Sequence, residues 1–195
     1  MARALMRTGL AQYTADGAGF NRAAGDKIAG VTSTMISVNP YAGFLGDRNA
    51  REVIGETAGK LSAVAERLGP QGMERSLAPG KWPARAILCH LADCEVTFAF
   101  RLRQALAEPH HVIQPFDQDA WAATYKGMSA DAALATFRAV RQWNQALLAN
   151  VTPEQFSKKL EHPERGEMTF QVVVETMAGH DLNHLEQLET IASRQ

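Results

Sequence analysis

Apolar residues recur every three or four positions along four long segments of the chain, which is the period of an α-helix with one buried face. Gly and Pro residues close the first two segments, and a Ser precedes the third, as expected at helix ends. No segment has the sustained two-residue alternation of a strand. The pattern therefore predicts an all-α protein whose helices cover residues 51–68, 83–106, 129–149 and 167–193.

Two links of mixed polar and aromatic character join the later helices. The first link is residues 108–126. Loops of this length often carry functional residues, so Asp117, Asp119 and Trp121 are candidates for lining the entrance of a site. The second link, residues 151–167, contains a sharp reversal between His162 and Gly166. Four helices joined by ordered links favour a four-helix bundle of the antiparallel type.

Residues 1–36 differ in character from the rest. They are rich in Gly, Ala, Thr and Ser without a sustained apolar period, so they offer little surface to a core. We expect an extension that is poorly ordered or loosely docked, followed by one domain at residues 37–195. A natural translation start at Met35 is a further hypothesis, which N-terminal sequencing of the native protein would reject by finding Met1 or Ala2.

Composition narrows the class of protein. The chain has 195 residues, 46% apolar and 21% charged, which is enough for one sizeable core. A net charge of −1 and scattered basic residues argue against a nucleic-acid partner. Cys89 and Cys94 lie in a helical pattern that offers no disulfide framework. With no apolar run near the length of a membrane span, we expect a cytoplasmic protein without a membrane partner.

Two histidines one helical turn apart are the strongest chemical signal. His180 and His184 leave the same face of the fourth helix, inside or at the edge of its apolar arc. This spacing lets one helix hold a metal ion with two ligands. The alternative is a pair of core histidines that are hydrogen-bonded to backbone carbonyls.

A third ligand has to come from another helix. Of the six histidines, only His90 joins His180 and His184 within a predicted helix, and it flanks the apolar arc of the second helix. If the second and fourth helices run parallel, the three rings lie within about one turn of each other. Three neutral imidazoles with an open position describe a catalytic site, whereas Cys94 as a fourth ligand would close a structural cage.

Asp181 lies near the middle of the same apolar arc, where an ionised carboxylate needs a partner. It is a candidate catalytic base by comparison with the Glu of H-E-x-x-H, and the alternatives are orientation of a ligand or a buried ion pair. Arg101 is a candidate partner for that carboxylate, unless it only extends along the helix edge to solvent. Glu95 is expected in an exposed or interhelical ion pair. The other histidines are candidates for proton shuttles or solvated loop residues: His110, His111 and His162.

Two motifs resemble a known family. The first motif consists of Gly80-Lys-Trp82-Pro and, shortly after it, Ile87-Leu-Cys-His90-Leu-Ala-Asp-Cys-Glu95. The second is Gly179-His180-Asp-Leu-Asn-His184-Leu-Glu-Gln187. With these motifs the chain resembles the DinB/YfiT-like superfamily of metalloproteins over about residues 39–192. The resemblance implies a four-helix bundle, often a homodimer, that binds a divalent metal ion (zinc, nickel or iron). The ligands that it implies are His90, His180 and His184. It also implies hydrolysis or thiol-dependent S-transfer on a small molecule, with a low-molecular-weight thiol as co-substrate in the second case.

Three classes of function are compatible with these residues. The first is a metal-dependent enzyme acting on a small molecule. The second is a non-catalytic metal-binding or stress-associated bundle, and the third is a metal-free interaction bundle with satisfied core histidines. Metal analysis separates the third class from the other two. Substrate assays and the effect of metal on the melting temperature separate the first from the second.

Overall fold

The computed structural model of the protein describes residues 38–194. The predicted extension at residues 1–36 and the hypothetical translation start at Met35 lie outside the described residues. The elements in chain order are α1 (Ala42–Leu45), α2 (Ala50–Gly72), α3 (Ala84–Ala107), α4 (Gln118–Ala122), α5 (Ala130–Leu148), α6 (Pro153–Phe156), β1 (Lys159–His162), β2 (Gly166–Thr169) and α7 (Phe170–Ser193).

The four long helices α2, α3, α5 and α7 are the four that the apolar period predicts, and they form a four-helix bundle. Local sequence fixes their ends. Asn49 caps α2 by accepting hydrogen bonds from the backbone of the first turn, and Ser129 does the same for α5. Gly69 leaves the helical conformation with a φ of 58°, at the predicted end of the first helix, and the chain then makes one more turn to Gly72.

Two apolar clusters give the direction of each helix. One cluster joins the beginnings of α2 and α7 to the ends of α3 and α5; its members include Ile54, Phe98, Leu102, Leu148 and Val174. The other joins the ends of α2 and α7 to the beginnings of α3 and α5; its members include Leu61, Leu88, Phe137, Leu188 and Ile191. Hence α2 and α7 run in one direction, and α3 and α5 run in the other.

This arrangement explains the long link between α3 and α5. Because these two helices point the same way, the chain after Ala107 has to return along the bundle before α5 can begin at Ala130. The returning segment contains the short helix α4, with Asp117 as its cap. The length of this link is therefore set by topology.

A small hairpin covers the end of the bundle where α7 begins. β1 and β2 pair antiparallel from Lys159 opposite Thr169 to His162 opposite Gly166, so the predicted reversal is confirmed. The prediction that the chain contains no strand was wrong, because strands of four residues are too short to produce a clear alternation. The inward side chains of the hairpin, Leu160 and Met168, extend the first apolar cluster. Within residues 38–194, no helix is long and apolar enough to cross a membrane.

Candidate metal centre

Three histidines from two helices meet in the middle of the bundle. Their ligand atoms all lie within 4.8 Å of one another, and Nε2 of His90 on α3 is 3.0 Å from Nε2 of His180 on α7. His184 lies one turn further along α7. The condition under which the sequence placed the three rings together, parallel second and fourth helices, is not met, since α3 and α7 are antiparallel. The rings meet because on each helix they lie close to the place where the two apolar clusters join: His180 and His184 lie between the clusters on α7, and His90 lies near the end of the second cluster on α3.

The cluster is enclosed. His90, His180 and His184 are 1%, 4% and 7% exposed. Aromatic rings pack around them: the ring centre of Trp82 lies 5.0 Å from that of His90, and the ring centre of Tyr41 lies 5.2 Å from that of His180. Trp82, which lies just before the start of α3, therefore forms a wall of the site.

Burial keeps the three rings neutral. Loss of solvation, with a smaller contribution from His184, lowers the pKa of His90 from 6.5 to about 3. Desolvation also lowers the pKa of His184 to about 4 and that of His180 well below its usual value. Near neutral pH each imidazole thus has a lone pair on one ring nitrogen, which is the form that binds a metal ion.

The donor set fits a divalent cation. Nitrogen ligands about 2.0 to 2.1 Å from a tetrahedral ion lie roughly 3.3 Å apart, close to the 3.0 Å between the facing nitrogens of His90 and His180. Nδ1 of His184 lies 3.0 Å from Oε1 of Gln187, so it can donate its proton there and leave Nε2 free. Nδ1 of His180 is buried without a hydrogen-bond partner among residues 38–194, so packing by Tyr41 and Phe98 orients that ring. Among the described residues, this is the one such group of three or more candidate ligands.

Cys94 lies beside the cluster, in an orientation that does not suit a fourth ligand. Its Sγ is 3.4 Å from Nε2 and 3.8 Å from Nδ1 of His90. These similar distances place the sulfur alongside the ring, whereas a ligand sharing the ion would lie beyond Nε2 and much further from Nδ1. Burial also raises the pKa of the thiol, so the thiol is neutral. The arrangement favours three histidine ligands over the closed cage.

Asp181 is buried at 2% exposure, and its partner is Arg141 on α5. Nη1 of Arg141 donates to Oδ2 of Asp181 over 2.7 Å, and Nη2 donates to Oε2 of Glu95 over 2.7 Å. Arg101, the partner expected from the sequence, instead donates to the backbone oxygen of Gln114, and its guanidinium lies over a Phe ring. Glu95 therefore forms an interhelical ion pair, one of the two arrangements expected from the sequence. The pair is buried, since Glu95 is 1% exposed.

The ion pairs extend into a network that sequence reasoning missed. Asn144 donates to Oε1 of Glu95 over 2.7 Å, and Arg103 donates to Oδ1 of Asn144 over 2.8 Å. Nη1 of Arg141 also donates to the backbone oxygen of Ile54 on α2. One signal was available: Arg141 falls in the apolar stripe of its helix, where an arginine needs acidic partners.

The other candidate residues lie outside the group of three histidines. His110 is exposed, and His111 is buried with Nδ1 2.7 Å from a Glu108 oxygen. His162 is buried on β1, where its Nδ1 accepts a hydrogen bond from the backbone of Glu164. In the long link, Asp117 caps α4, Asp119 lies in its first turn, and Trp121 packs on Phe116 with ring centres 4.6 Å apart.

Known proteins are similar to this chain in sequence, and a solved structure is similar to it in fold. A protein of Oceanobacillus iheyensis named "Putative metal-dependent hydrolase OB0782" is 27% identical over 65% of this chain and 74% of its own length. The Bacillus subtilis protein "Putative metal-dependent hydrolase YfiT" is 25% identical over 73% of this chain and 82% of its own length. The solved structure of YfiT, described as an unusual four-helix bundle, superposes with a TM-score of 0.70 over 74% of this chain and 85% of YfiT, at 24% identity.

The match to a protein family covers most of the bundle. The profile of the DinB superfamily matches residues 54–188, a range that contains all three clustered histidines and the buried network. The four-helix architecture agrees with this match. The chain therefore belongs to the DinB superfamily.

Proposed function

We propose that the protein is a metal-dependent hydrolase acting on a small molecule, with one divalent cation bound by His90, His180 and His184. The observation that supports this most directly is the convergence of three buried, neutral imidazoles from two helices. The names of the relatives from Oceanobacillus and Bacillus, which describe metal-dependent hydrolases, support it further. Imidazole suits zinc, nickel and iron alike, and we propose that the ion is one of these three.

A divalent cation at this centre supplies Lewis acidity and lowers the pKa of a water or thiol that reaches it. The protein contributes the rest. Desolvation keeps the ligands unprotonated, and Gln187 fixes the orientation of His184. Tyr41 and Trp82 limit the access of water to the rings. Because Asp181 is engaged by Arg141, its proposed role is to orient α7, and its role as a base stays a prediction.

Thiol-dependent S-transfer is the second activity to be tested, since the same kind of centre can lower the pKa of a thiol. A small-molecule substrate, a thiol co-substrate, a homodimer and a cytoplasmic location stay predictions. The non-catalytic alternative, a bundle that a metal ion only stabilises, predicts bound metal without turnover of any substrate.

Metal content tests the centre first. We expect protein purified without a histidine tag to contain close to one equivalent of a transition metal, and His180→Ala to lose it. His110→Ala is the matched control, because His110 is exposed and outside the cluster, so it should retain the metal. Wild-type protein without metal that also fails to take up zinc, nickel or iron would refute the proposal, as would unchanged content in His180→Ala.

Activity is the second step. Apoprotein and reloaded protein are assayed against small esters and amides, and in parallel against electrophiles together with low-molecular-weight thiols. Hydrolysis that disappears on chelation and returns with metal supports the proposed function. Turnover only in the presence of a thiol identifies the transferase instead, and a metal-replete protein inactive in both arms favours the non-catalytic bundle.

A further inference from the structure

One side chain joins all four long helices beside the histidine cluster. The guanidinium of Arg141 on α5 binds Glu95 from α3, Asp181 from α7 and the backbone oxygen of Ile54 from α2. Arg141 and both carboxylates are 1% to 2% exposed. Such a buried arrangement has a large desolvation cost, and apolar replacements of buried ion pairs are often equally or more stable. A contribution to stability alone therefore does not explain why these buried ion pairs are present.

The two carboxylates that bind Arg141 lie close in sequence to the histidines of the metal centre. Asp181 follows His180 directly in the sequence, and Glu95 follows His90 by little more than one helical turn. The two hydrogen bonds from Arg141 to these carboxylates are both 2.7 Å long. A planar guanidinium that binds two carboxylates at once fixes their positions in a way that apolar contacts, which tolerate sliding, do not.

We infer that Arg141 is a positioning residue that sets the axial alignment of α3 and α7, and thereby the distance between the ring nitrogens of His90 and His180. This inference rests on the proposed metal site. It assigns Asp181 and Glu95 to the same task, because each transmits the position of Arg141 to its own helix. Arg141 itself does not contact the ion or the substrate.

Two variants separate positioning from folding. Arg141→Lys keeps the charge but lacks the planar fork, so it cannot reproduce both carboxylate contacts and the contact with Ile54. The triple variant Glu95→Met, Arg141→Met, Asp181→Leu replaces the network by apolar side chains, a change that buried ion networks often tolerate. Arg67→Met is the matched control, because Arg67 forms an exposed ion pair with Glu189 that also joins α2 to α7.

The measurements are the dissociation constant for Co(II), the visible absorption bands of bound Co(II), and the melting temperature of the apoprotein. We expect both Arg141 variants to bind Co(II) about 10- to 100-fold more weakly, the range typical of residues that orient metal ligands. The Co(II) bands should shift in both, because ligand geometry changes, whereas a lost charge alone would weaken binding without changing the band pattern. The apo triple variant should melt near the wild type, and Arg67→Met should match the wild type in Co(II) affinity and bands.

Wild-type affinity and bands in Arg141→Lys, or in a folded triple variant, would overturn the inference. The same applies if affinity falls but the bands keep the wild-type pattern. If the triple variant does not fold, Arg141→Lys decides alone. Wild-type protein that binds no Co(II) and no other transition metal is a different result, because it removes the proposed function, and the inference falls with it.

Discussion

Gly179 allows the segment that contains Tyr41 to approach α7 closely, and a methyl group there should push the segment away. A Cβ added at Gly179 would lie 2.4 Å from the backbone oxygen of Tyr41 and 2.8 Å from its Cβ. Both distances are far below van der Waals contact. The ring of Tyr41 packs edge-on against His180, so a shift of this segment reaches the histidine cluster directly.

The expected loss of stability is the difference between two opposing effects. Alanine in a helix interior is more favourable than glycine by about 1 kcal/mol. Overpacking costs about 1 to 3 kcal/mol, and the upper end applies here because the contacted atoms belong to backbone and Cβ, which cannot rotate away. The net destabilisation is about 2 kcal/mol, which corresponds to a fall in melting temperature of roughly 4 to 8 °C for a domain of this size.

Gly59→Ala on α2 is the matched control. Gly59 is exposed within a helix, and a Cβ there meets no atom of the described part of the chain within 4 Å, so only the helical preference acts. We expect this variant to gain about 1 kcal/mol and to melt roughly 2 to 4 °C higher. Thermal unfolding of the wild type and both variants, followed by circular dichroism, measures the contrast. If Gly179→Ala melts at or above the wild-type temperature, the close approach to Tyr41 does not constrain this position.

Three further predictions concern metal, pH and helix capping. Zinc at about 100 times its dissociation constant should stabilise the apoprotein against thermal unfolding by about 2.7 kcal/mol. The variant His184→Ala should lose this stabilisation. Equal shifts in the wild type and the variant would contradict the proposed ligands. Burial, with Arg165 and Arg101, lowers the pKa of His162 from 6.5 to about 4. The unfolded chain therefore binds this proton first as pH falls from 6.5 to 4, and stability falls with it. His162→Asn should flatten the decline by at most about 1.4 kcal/mol per pH unit in urea unfolding, and an unchanged slope would refute the assignment. Asn49→Ala should cost about 1 kcal/mol in the same assay without changing the dissociation constant for zinc; no loss would mean that the cap contributes little.

The long helices and the histidine cluster could be predicted because their signals are local. A helical apolar period reports a buried face, and the i, i+4 spacing of His180 and His184 places both rings on one face whatever the rest of the chain does. His90 was found by elimination among the histidines of predicted helices. The directions of the helices could not be predicted, because they depend on the path of the links, and the apolar period of a helix contains no information about that path.

The buried network could not be predicted because its members come from different helices. Glu95 and Asn144 look like ordinary polar residues of an amphipathic helix, and although Arg141 falls in an apolar stripe, nothing in its own helix identifies its partners. Arg101 was the nearest candidate partner for Asp181 by sequence pattern, but its helix face directs the guanidinium towards the backbone of Gln114. A partner choice between two arginines is decided by the bundle geometry, which follows from all four helices together.

The core of this bundle consists of two apolar clusters with a polar layer between them, and the three clustered histidines belong to that layer. All four long helices contribute buried polar residues at or near the place where their two apolar stretches meet: Thr57, His90, Glu95, Arg141, Asn144, His180, Asp181 and His184. A buried polar layer lowers stability unless its groups form hydrogen bonds with one another. The carboxylates of Glu95 and Asp181, the guanidinium of Arg141 and the amide of Asn144 form such bonds. The imidazoles do so only in part: two neutral rings can share one hydrogen bond over the 3.0 Å between Nε2 of His90 and Nε2 of His180, and burial opposes protonation of either ring. A divalent cation would bind the lone pairs of all three rings without protonating any of them.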